Sequence, residues 1–180
     1  MDEIDPEVCF FRTYYPSFMI QPQKQPASAT TSCPCSSGKL LSACCSPILA
    51  DHALARTPEQ LMRSRYTAFV YQDSIHLLRS WDIPSRPQSL NFDDTIVWLE
   101  LDIEEAPLPS PSDDFGYVRF KATFIQNDCY VKMKEKSVFV RKNNLWFYLR
   151  GELQKEETPI SLKSQCPCGS GKKYKRCCRH

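Results

Sequence analysis

The sequence predicts an α+β fold in which helices precede an antiparallel sheet and a small cysteine-rich module flanks each end. Three observations on the 180-residue chain lead to this prediction. Apolar residues recur at helical spacing between 57 and 81, and polar and apolar residues alternate between 95 and 149. The pattern C-x-C-x8-C-C occurs at 33–45 and again at 166–178. Helices followed by strands are the order of a segregated α+β domain.

The composition is that of a soluble globular protein, but the charge is unevenly distributed. Hydrophobic residues make up 42% of the chain and charged residues 24%, with a net charge of +2, close to average usage. The stretch 87–118 has eight carboxylates and no Lys or Arg, whereas 163–180 has six Lys or Arg and no acid. The basic end indicates either an anionic partner or a solvated surface patch.

Residues 1–32 predict an N-terminal arm and linker, because 21–32 (QPQKQPASATTS) is polar and contains two prolines. The acidic start does not resemble a secretory signal, and no run of 18 apolar residues predicts a membrane span. We therefore expect a cytoplasmic protein. In that compartment thiols stay reduced, so clustered cysteines indicate metal or redox sites before disulfides.

Two helices are predicted at the start of a central domain spanning 51–153. Thr57 is a good N-cap, with Pro58 at the first helical position and Gln60 three residues after the cap. Apolar residues then follow at 61, 62, 66, 69 and 70, with the arginines at 63 and 65 on other faces. Asp73 begins a second helix that carries apolar residues as far as Trp81, and the prolines at 84 and 87 end it.

Three or four antiparallel strands are predicted after these helices. The alternation runs through 96–103, 117–124 and 131–139, and Asn143-Asn144 is typical of a tight hairpin turn. The returning strand is predicted at 145–149, closed by Arg150-Gly151. Residues 154–165 then form the expected linker to the second cysteine module.

The repeated cysteine pattern predicts two metal sites. Four thiolates are the ligand set of a closed tetrahedral site, so we expect up to two zinc ions, with iron as the alternative metal. Adjacent cysteines form strained disulfides with each other, which disfavours a disulfide interpretation. The predicted ligands are Cys33, Cys35, Cys44 and Cys45 in an N-terminal module at 33–50, and Cys166, Cys168, Cys177 and Cys178 in a C-terminal module at 166–180.

Basic residues distinguish the two modules. A zinc ion with four thiolates carries a net charge of about −2, and neighbouring cations offset that charge and lower the thiol pKa values. The N-terminal copy has Lys39 alone within the pattern, so the C-terminal copy is expected to hold metal more tightly. The cations of the C-terminal copy are also candidate partner-binding residues: Lys172, Lys173, Lys175 and Arg176.

These residues resemble a known family. CPCGSGKKYKRCC at 166–178 resembles the SEC-C motif, a metal-binding module also found in the SecA translocation ATPase, where the motif typically ends in Cys-His. LMRSRYTAFV at 61–70, with Asp73, Leu77-Leu78-Arg79 and Trp81, resembles the YchJ-like family, although Asp82 follows Trp81 where the family often has histidine. The resemblance covers about residues 33–180. It implies a nuclear-transport-factor-two-like domain, with helices packed in the concave side of a curved antiparallel sheet.

The leading functional prediction is a non-enzymatic zinc-binding adaptor. The resemblance to SecA implies partners such as the ribosome or a chaperone of protein export. The basic C-terminal module independently suits RNA phosphates or an acidic protein face. The alternative is a redox or metal-sensing protein that uses the same eight cysteines, because thiolates near solvent are oxidised and release metal.

A further alternative places small-ligand binding or enzyme activity in a pocket of the central domain, because the implied fold commonly encloses one. No Ser-His-Asp order, phosphate loop or histidine-rich site is visible in the sequence, so no catalytic residue is predicted. Ordinary core aromatics and surface acids would give the same pattern. The candidate pocket residues are Tyr66, His76, Trp81, Trp98, Asp102 and Tyr148.

Overall fold

The computed structural model describes residues 30–179, in which the helices precede a single antiparallel sheet. The helices are α1 (Cys45–Ala50), α2 (Pro58–Tyr71) and α3 (Ser74–Arg79). The strands are β1 (Val97–Glu105), β2 (Phe115–Gln126), β3 (Cys129–Lys142) and β4 (Leu145–Pro159), in the spatial order β1-β2-β3-β4. This architecture confirms the predicted fold class. The predicted arm at 1–32 lies outside the described residues, apart from its last three positions.

The two central helices begin where the capping signals predict. The Thr57 side chain accepts a hydrogen bond from the Gln60 N–H at 3.2 Å, and the Asp73 side chain accepts one from the His76 N–H at 2.9 Å. Between them α2 ends at Gln72, which adopts a left-handed conformation with φ of 57°. The described helices fall short of the length and hydropathy that a membrane span requires.

The second helix is shorter than predicted. It ends at Arg79, so Trp81 lies beyond it and forms a parallel bridge with Tyr148 of β4. The N–H of Tyr148 donates to the carbonyl of Ser80 at 2.9 Å, and the N–H of Asp82 donates to the carbonyl of Tyr148 at 2.8 Å. These two hydrogen bonds hold the segment after α3 against the sheet. If α3 continued for another turn, neither bond could form.

Two-residue turns join the three longest strands. Asn143 and Asn144 have φ of 52° and 63°, as the predicted hairpin turn requires, and Asn127 and Asp128 repeat this geometry with φ of 49° and 59°. Positive φ at both central positions is typical of the hairpin turn whose twist matches that of the flanking strands. After glycine, Asn and Asp are the residues that adopt positive φ most readily. The turn after β2 was missed because its Asn-Asp sequence is a weaker signal than Asn-Gly.

The last strand is longer than predicted. It extends to Pro159 and pairs with β3 from Lys142↔Leu145 to Cys129↔Pro159, with one register shift between Val138 and Phe139. Residues 154–159 of the expected linker are therefore the second half of β4. The reason is that β4 lies at the edge of the sheet with its second half exposed. The backbone groups of these polar residues hydrogen-bond to β3. The strand therefore forms although its sequence shows no alternation of apolar residues.

The two cysteine modules relate differently to the core. Helix α2 packs on the sheet, contacting β1, β2 and β4. The resulting core includes Leu61 of α2 and Phe120 of β2 together with Cys35 and Cys45 of the N-terminal module. The C-terminal module packs through Cys166 and Tyr174 on Ile125 of β2 and on Ile160, and these four residues form a separate small cluster.

Candidate metal centres and central pocket

The two cysteine modules share one local fold. The N–H of Cys33 donates to the carbonyl of Lys39 at 2.9 Å, and the N–H of Cys166 donates to that of Lys172 at 2.8 Å. In each module a glycine with φ near +70°, 74° in one and 72° in the other, turns the chain before a 3-10 turn, at Leu41–Ala43 or Tyr174–Arg176. That turn returns the last two cysteines to the first two. The spacing C-x-C-x8-C-C therefore brings four cysteines together in both modules.

Four sulfur atoms converge in each module. All four Sγ atoms of a module lie within 4.8 Å of one another. The Sγ atoms of Cys35 and Cys44 are 3.6 Å apart and those of Cys168 and Cys177 are 3.4 Å apart, while both adjacent pairs are at 3.9 Å. A tetrahedron with Zn–S bonds of about 2.3 Å has sulfur edges of about 3.8 Å. The residues therefore fit a four-coordinate soft metal ion, and all eight are free thiols.

The second cysteine of each module has a lowered pKa. Hydrogen bonds from the thiols of Cys33 and Cys45 hold the pKa of Cys35 well below its usual range. The Ser170 side chain, followed by its backbone N–H, lowers the pKa of Cys168 to about 6. Burial raises the pKa of Cys178. A thiolate is thus available in each module to start binding a cation, which then displaces the remaining protons.

The N-terminal module is held inside the domain by α2 and β1. Cys35 is fully buried, and its carbonyl accepts a hydrogen bond from Arg63 Nη1 at 2.9 Å. Thr67 Oγ1 lies 3.8 Å from Cys33 Sγ, and Ser36 Oγ accepts the N–H of Leu101 at 3.2 Å. Arg63 therefore supplies a cation that the sequence pattern missed, since nothing in its spacing within α2 points to a loop 28 residues earlier.

The C-terminal module is attached through one buried tyrosine. Tyr174 is 1% exposed, and its hydroxyl donates to Asp128 Oδ1 in the β2–β3 turn at 2.8 Å. Arg179 Nε lies 3.5 Å from the other oxygen of Asp128. Cys168 itself is exposed. The cysteine loop of this module thus faces solvent, whereas its counterpart is enclosed.

The candidate partner-binding cations lie on the outer surface of this module. The four side chains are exposed, and within residues 30–179 none of them forms an ion pair with a carboxylate. Arg179 differs, because it pairs with Asp128. The unpaired cations are Lys172, Lys173, Lys175 and Arg176.

A cavity of about 850 Å³ lies between α2 and the sheet. Four of the six candidate pocket residues line it: Tyr66, Trp81, Trp98 and Tyr148. The rings of Tyr66 and Phe124 pack against Trp98, with centroid distances of 5.3 and 4.9 Å. Aromatic side chains therefore form much of the cavity wall.

The other two candidates, His76 and Asp102, do not line the cavity. His76 is fully buried, with Nε2 3.0 Å from Ser64 Oγ and Nδ1 3.2 Å from Arg79 Nη2, and burial lowers its pKa to about 3. Asp102 follows the buried Leu101 on β1, so it faces the opposite side of the sheet. There it accepts a hydrogen bond from Lys121 Nζ at 2.9 Å. The prediction was wrong for these two residues.

Charged residues of the cavity were missed by the sequence analysis: Arg65, Glu135 and Lys155 all line it. Arg65 was expected on a different face of α2 from the apolar residues, yet it is 3% exposed. Its guanidinium carbon lies 4.9 Å from the Trp81 ring centroid and 4.5 Å from that of Tyr148. A helical pattern cannot distinguish a solvated arginine from one stacked between two distant rings.

Residues 57–151, which include α2, α3 and most of the sheet, match the family described as "YchJ, middle NTF2-like domain", and residues 163–179 match the SEC-C motif. The chain belongs to the YchJ-like family. A UPF0225 protein of Sodalis glossinidius is 40% identical over 153 residues, covering 81% of this chain and 96% of the relative. A UPF0225 protein of Pectobacterium carotovorum is 39% identical over 155 residues, with 82% and 97% covered.

One solved structure is also similar to this chain. The solution structure of a SEC-C motif containing protein from Rhodopseudomonas palustris superposes with a TM-score of 0.58 at 31% identity, covering 67% of this chain and 96% of that one. These similarities confirm the resemblance drawn from the sequence, including the nuclear-transport-factor-two-like central domain. They also place the second cysteine pattern within a named motif of the family.

Proposed function

We propose that this protein is a non-enzymatic adaptor that holds one zinc ion in each cysteine module and contacts RNA, such as that of the ribosome, through its C-terminal module. The observation that supports this most is the pairing of a four-sulfur cluster with four exposed, unpaired cations on a single small loop. A loop this short cannot fold on its own apolar core, so a metal ion is needed to hold its surface rigid. Iron is the alternative metal.

Phosphate contact is favoured over base recognition at this surface. A four-thiolate zinc centre carries a charge of about −2, and the four cations outweigh it. Within residues 166–179 the one aromatic side chain, Tyr174, is buried against β2, so it cannot stack on a base. The surface therefore offers charge without base readout, which predicts binding that depends on salt and little on sequence.

The test is binding of the zinc-loaded protein to a fluorescein-labelled 20-nucleotide oligouridine, measured by anisotropy across a salt series. With four phosphate contacts on a single strand, the logarithm of the binding constant should fall with a slope of about −3 against the logarithm of salt concentration. Replacing Lys172, Lys173, Lys175 and Arg176 together by Gln should weaken binding at least about tenfold and flatten that slope.

A matched control removes the same number of charges elsewhere. Arg119, Lys132, Lys134 and Arg150 are exposed on the sheet, and their replacement by Gln should leave RNA binding nearly unchanged. If the two variants bind equally, or the unmodified protein does not bind, the proposal is wrong. If the protein binds a polyglutamate peptide and not RNA, the partner is an acidic protein surface, as a chaperone of protein export would offer.

The unequal exposure of the two clusters favours a second candidate function, metal sensing at the C-terminal module. Charge predicts tighter binding at this module, but Cys168 is exposed while Cys35 is fully buried. A competing ligand or oxidant therefore reaches the C-terminal sulfurs first, and exposure is the larger effect on the rate of exchange.

Metal transfer to a colorimetric chelator tests this second candidate. We expect two kinetic phases in the zinc-loaded protein, with the fast phase absent from Cys168→Ser. A fast phase that survives in Cys168→Ser, or a single phase for both ions, contradicts metal exchange at the C-terminal module.

A further inference from the structure

The cavity between α2 and the sheet has the properties of a small-molecule site. Its volume of about 850 Å³ lies within the range of roughly 300–1,000 Å³ that is usual for ligand pockets. Its wall combines apolar and aromatic side chains with a few charged ones, which is the composition such sites share. A folded core normally fills such a volume with side chains.

Arg65 is the least expected member of the wall. It is 3% exposed, and its Nη1 donates to the carbonyl of Leu77 at 2.9 Å and to Ser80 Oγ at 2.8 Å. Within residues 30–179, no carboxylate pairs with it, and its Nε and Nη2 donate to no protein acceptor. Arg65 itself lines the cavity. Two parallel donors on a buried guanidinium match a planar carboxylate.

The guanidinium stays charged in this setting. Burial lowers the pKa of Arg65 to about 10, which still leaves it protonated at neutral pH. The negative charge of Glu135 offsets part of the cost of this burial without contacting the guanidinium, and an anionic ligand in direct contact would offset more of it. Stacking between the rings of Trp81 and Tyr148 fixes the orientation of the fork before any ligand arrives.

The carboxylates of the cavity restrict the charge of the ligand. Three acids, Glu135, Asp93 and Asp94, face two cations, Arg65 and Lys155, around the lining. Glu135 Oε1 accepts the Tyr148 hydroxyl at 3.1 Å, and Asp94 Oδ1 accepts Gln72 Nε2 at 2.9 Å, so both are held as acceptors. A ligand with several negative charges, such as a nucleotide, would be repelled by this lining.

We propose that the cavity binds a small aromatic monocarboxylate, with its carboxylate on Arg65 and its ring against the aromatic wall around Trp98. The acids of the lining limit the ligand to a single negative charge. The aromatic rings of the wall favour a ligand with a flat, apolar body. This binding activity is separate from the metal centres and from the basic surface of the C-terminal module.

Calorimetric titration of the full-length, zinc-loaded protein tests the proposal. The probes are benzoate and 2-naphthoate, each compared with its neutral amide. We expect 2-naphthoate to bind more tightly than benzoate, because it fills more of the cavity, and each acid to bind more tightly than its amide. Arg65→Lys keeps the charge but loses the planar fork, so it should weaken the acids by about 10- to 100-fold and leave the amides unchanged.

A second variant keeps the test independent of the contacts that Arg65 makes with α3. Leu153 lines the cavity yet is 55% exposed, so Leu153→Trp should narrow the cavity without disturbing the fold and weaken both acids. Leu108, at 80% exposed, lies outside the lining, and Leu108→Trp is the matched control. Equal binding of acids and amides, full binding by Leu153→Trp, or no binding of any probe at millimolar concentration would overturn the proposal.

Discussion

His76 shows how a single buried side chain makes the stability of this protein depend on pH. It is enclosed between Ser64 and Arg79, and burial, followed by the neighbouring Arg79 charge, lowers its pKa to about 3. The unfolded chain takes up a proton near pH 6.5, so the stability linked to this residue is full above that pH and is lost as pH falls toward 3.

We predict that replacing this histidine flattens the acid limb of the stability curve. Between pH 7 and pH 5 the loss in free energy of unfolding should be about 2 kcal/mol smaller in His76→Gln than in the unmodified protein. Urea denaturation at a series of pH values with excess zinc measures this, because the contribution of the cysteines is the same in both proteins. Parallel curves would contradict the assignment of a neutral buried His76.

The contacts of Arg63 and Arg65 could not be predicted from the local sequence pattern. Both lie in α2, and the helix itself was correctly predicted from its cap and its spacing. Their roles depend on groups far away in the chain, the carbonyl of Cys35 for one and the rings of Trp81 and Tyr148 for the other. Such contacts follow from the assembled fold, and no local rule predicts them.

At the scale of elements, the β2–β3 turn is the anchor of the C-terminal module. Asp128 of this turn accepts the Tyr174 hydroxyl, and its carbonyl accepts the N–H of Ile160 at 2.8 Å. The turn thus ties the last strand and the cysteine loop to one corner of the sheet. Its left-handed backbone is tolerated because Asp is among the few residues that adopt it readily.

We predict that loosening this anchor frees the C-terminal module and leaves the rest intact. Tyr174→Phe removes one hydrogen bond to a charged acceptor and should cost about 1–2 kcal/mol of local stability. Amide hydrogen exchange at 163–179 should therefore quicken, with no change in α2. Tyr130→Phe is the control, because Tyr130 packs on the same cluster without a hydroxyl bond within the described chain. Equal exchange in the two variants would contradict the anchor.

The strands show which elements a sequence can specify. Positions with one buried face, such as those of β2, alternate clearly and were predicted. The end of β4 was predicted as a linker because its residues are exposed and its partner strand, not its side chains, holds it in place. Local composition reports burial, so an edge strand with both faces in water gives no signal.

For the whole molecule, the repeated cysteine pattern performs two different structural tasks. The N-terminal copy is part of the core that α2 forms with the sheet, so its metal should be needed for the fold of the central domain. The C-terminal copy packs on a separate small cluster, so its metal should be needed for that module alone. The sequence predicted both ligand sets and could not predict this difference, because the two patterns are locally alike.

We predict that the two modules differ in the cost of losing a ligand. Cys35→Ser should lower the free energy of unfolding of the whole domain by several kcal/mol, since it leaves a buried metal centre incomplete. Cys168→Ser should leave the central domain within about 0.5 kcal/mol of the unmodified protein. Far-ultraviolet circular dichroism during urea denaturation measures both, and equal losses would contradict the unequal packing.

The most direct test of the account is the metal content of protein purified from its host under reducing, anaerobic conditions. Elemental analysis and native mass spectrometry should give two zinc ions for each chain, and Cys168→Ser should retain one. A chain without metal, or a Cys168→Ser variant that still carries two ions, would contradict the claim that each four-cysteine module is a metal centre.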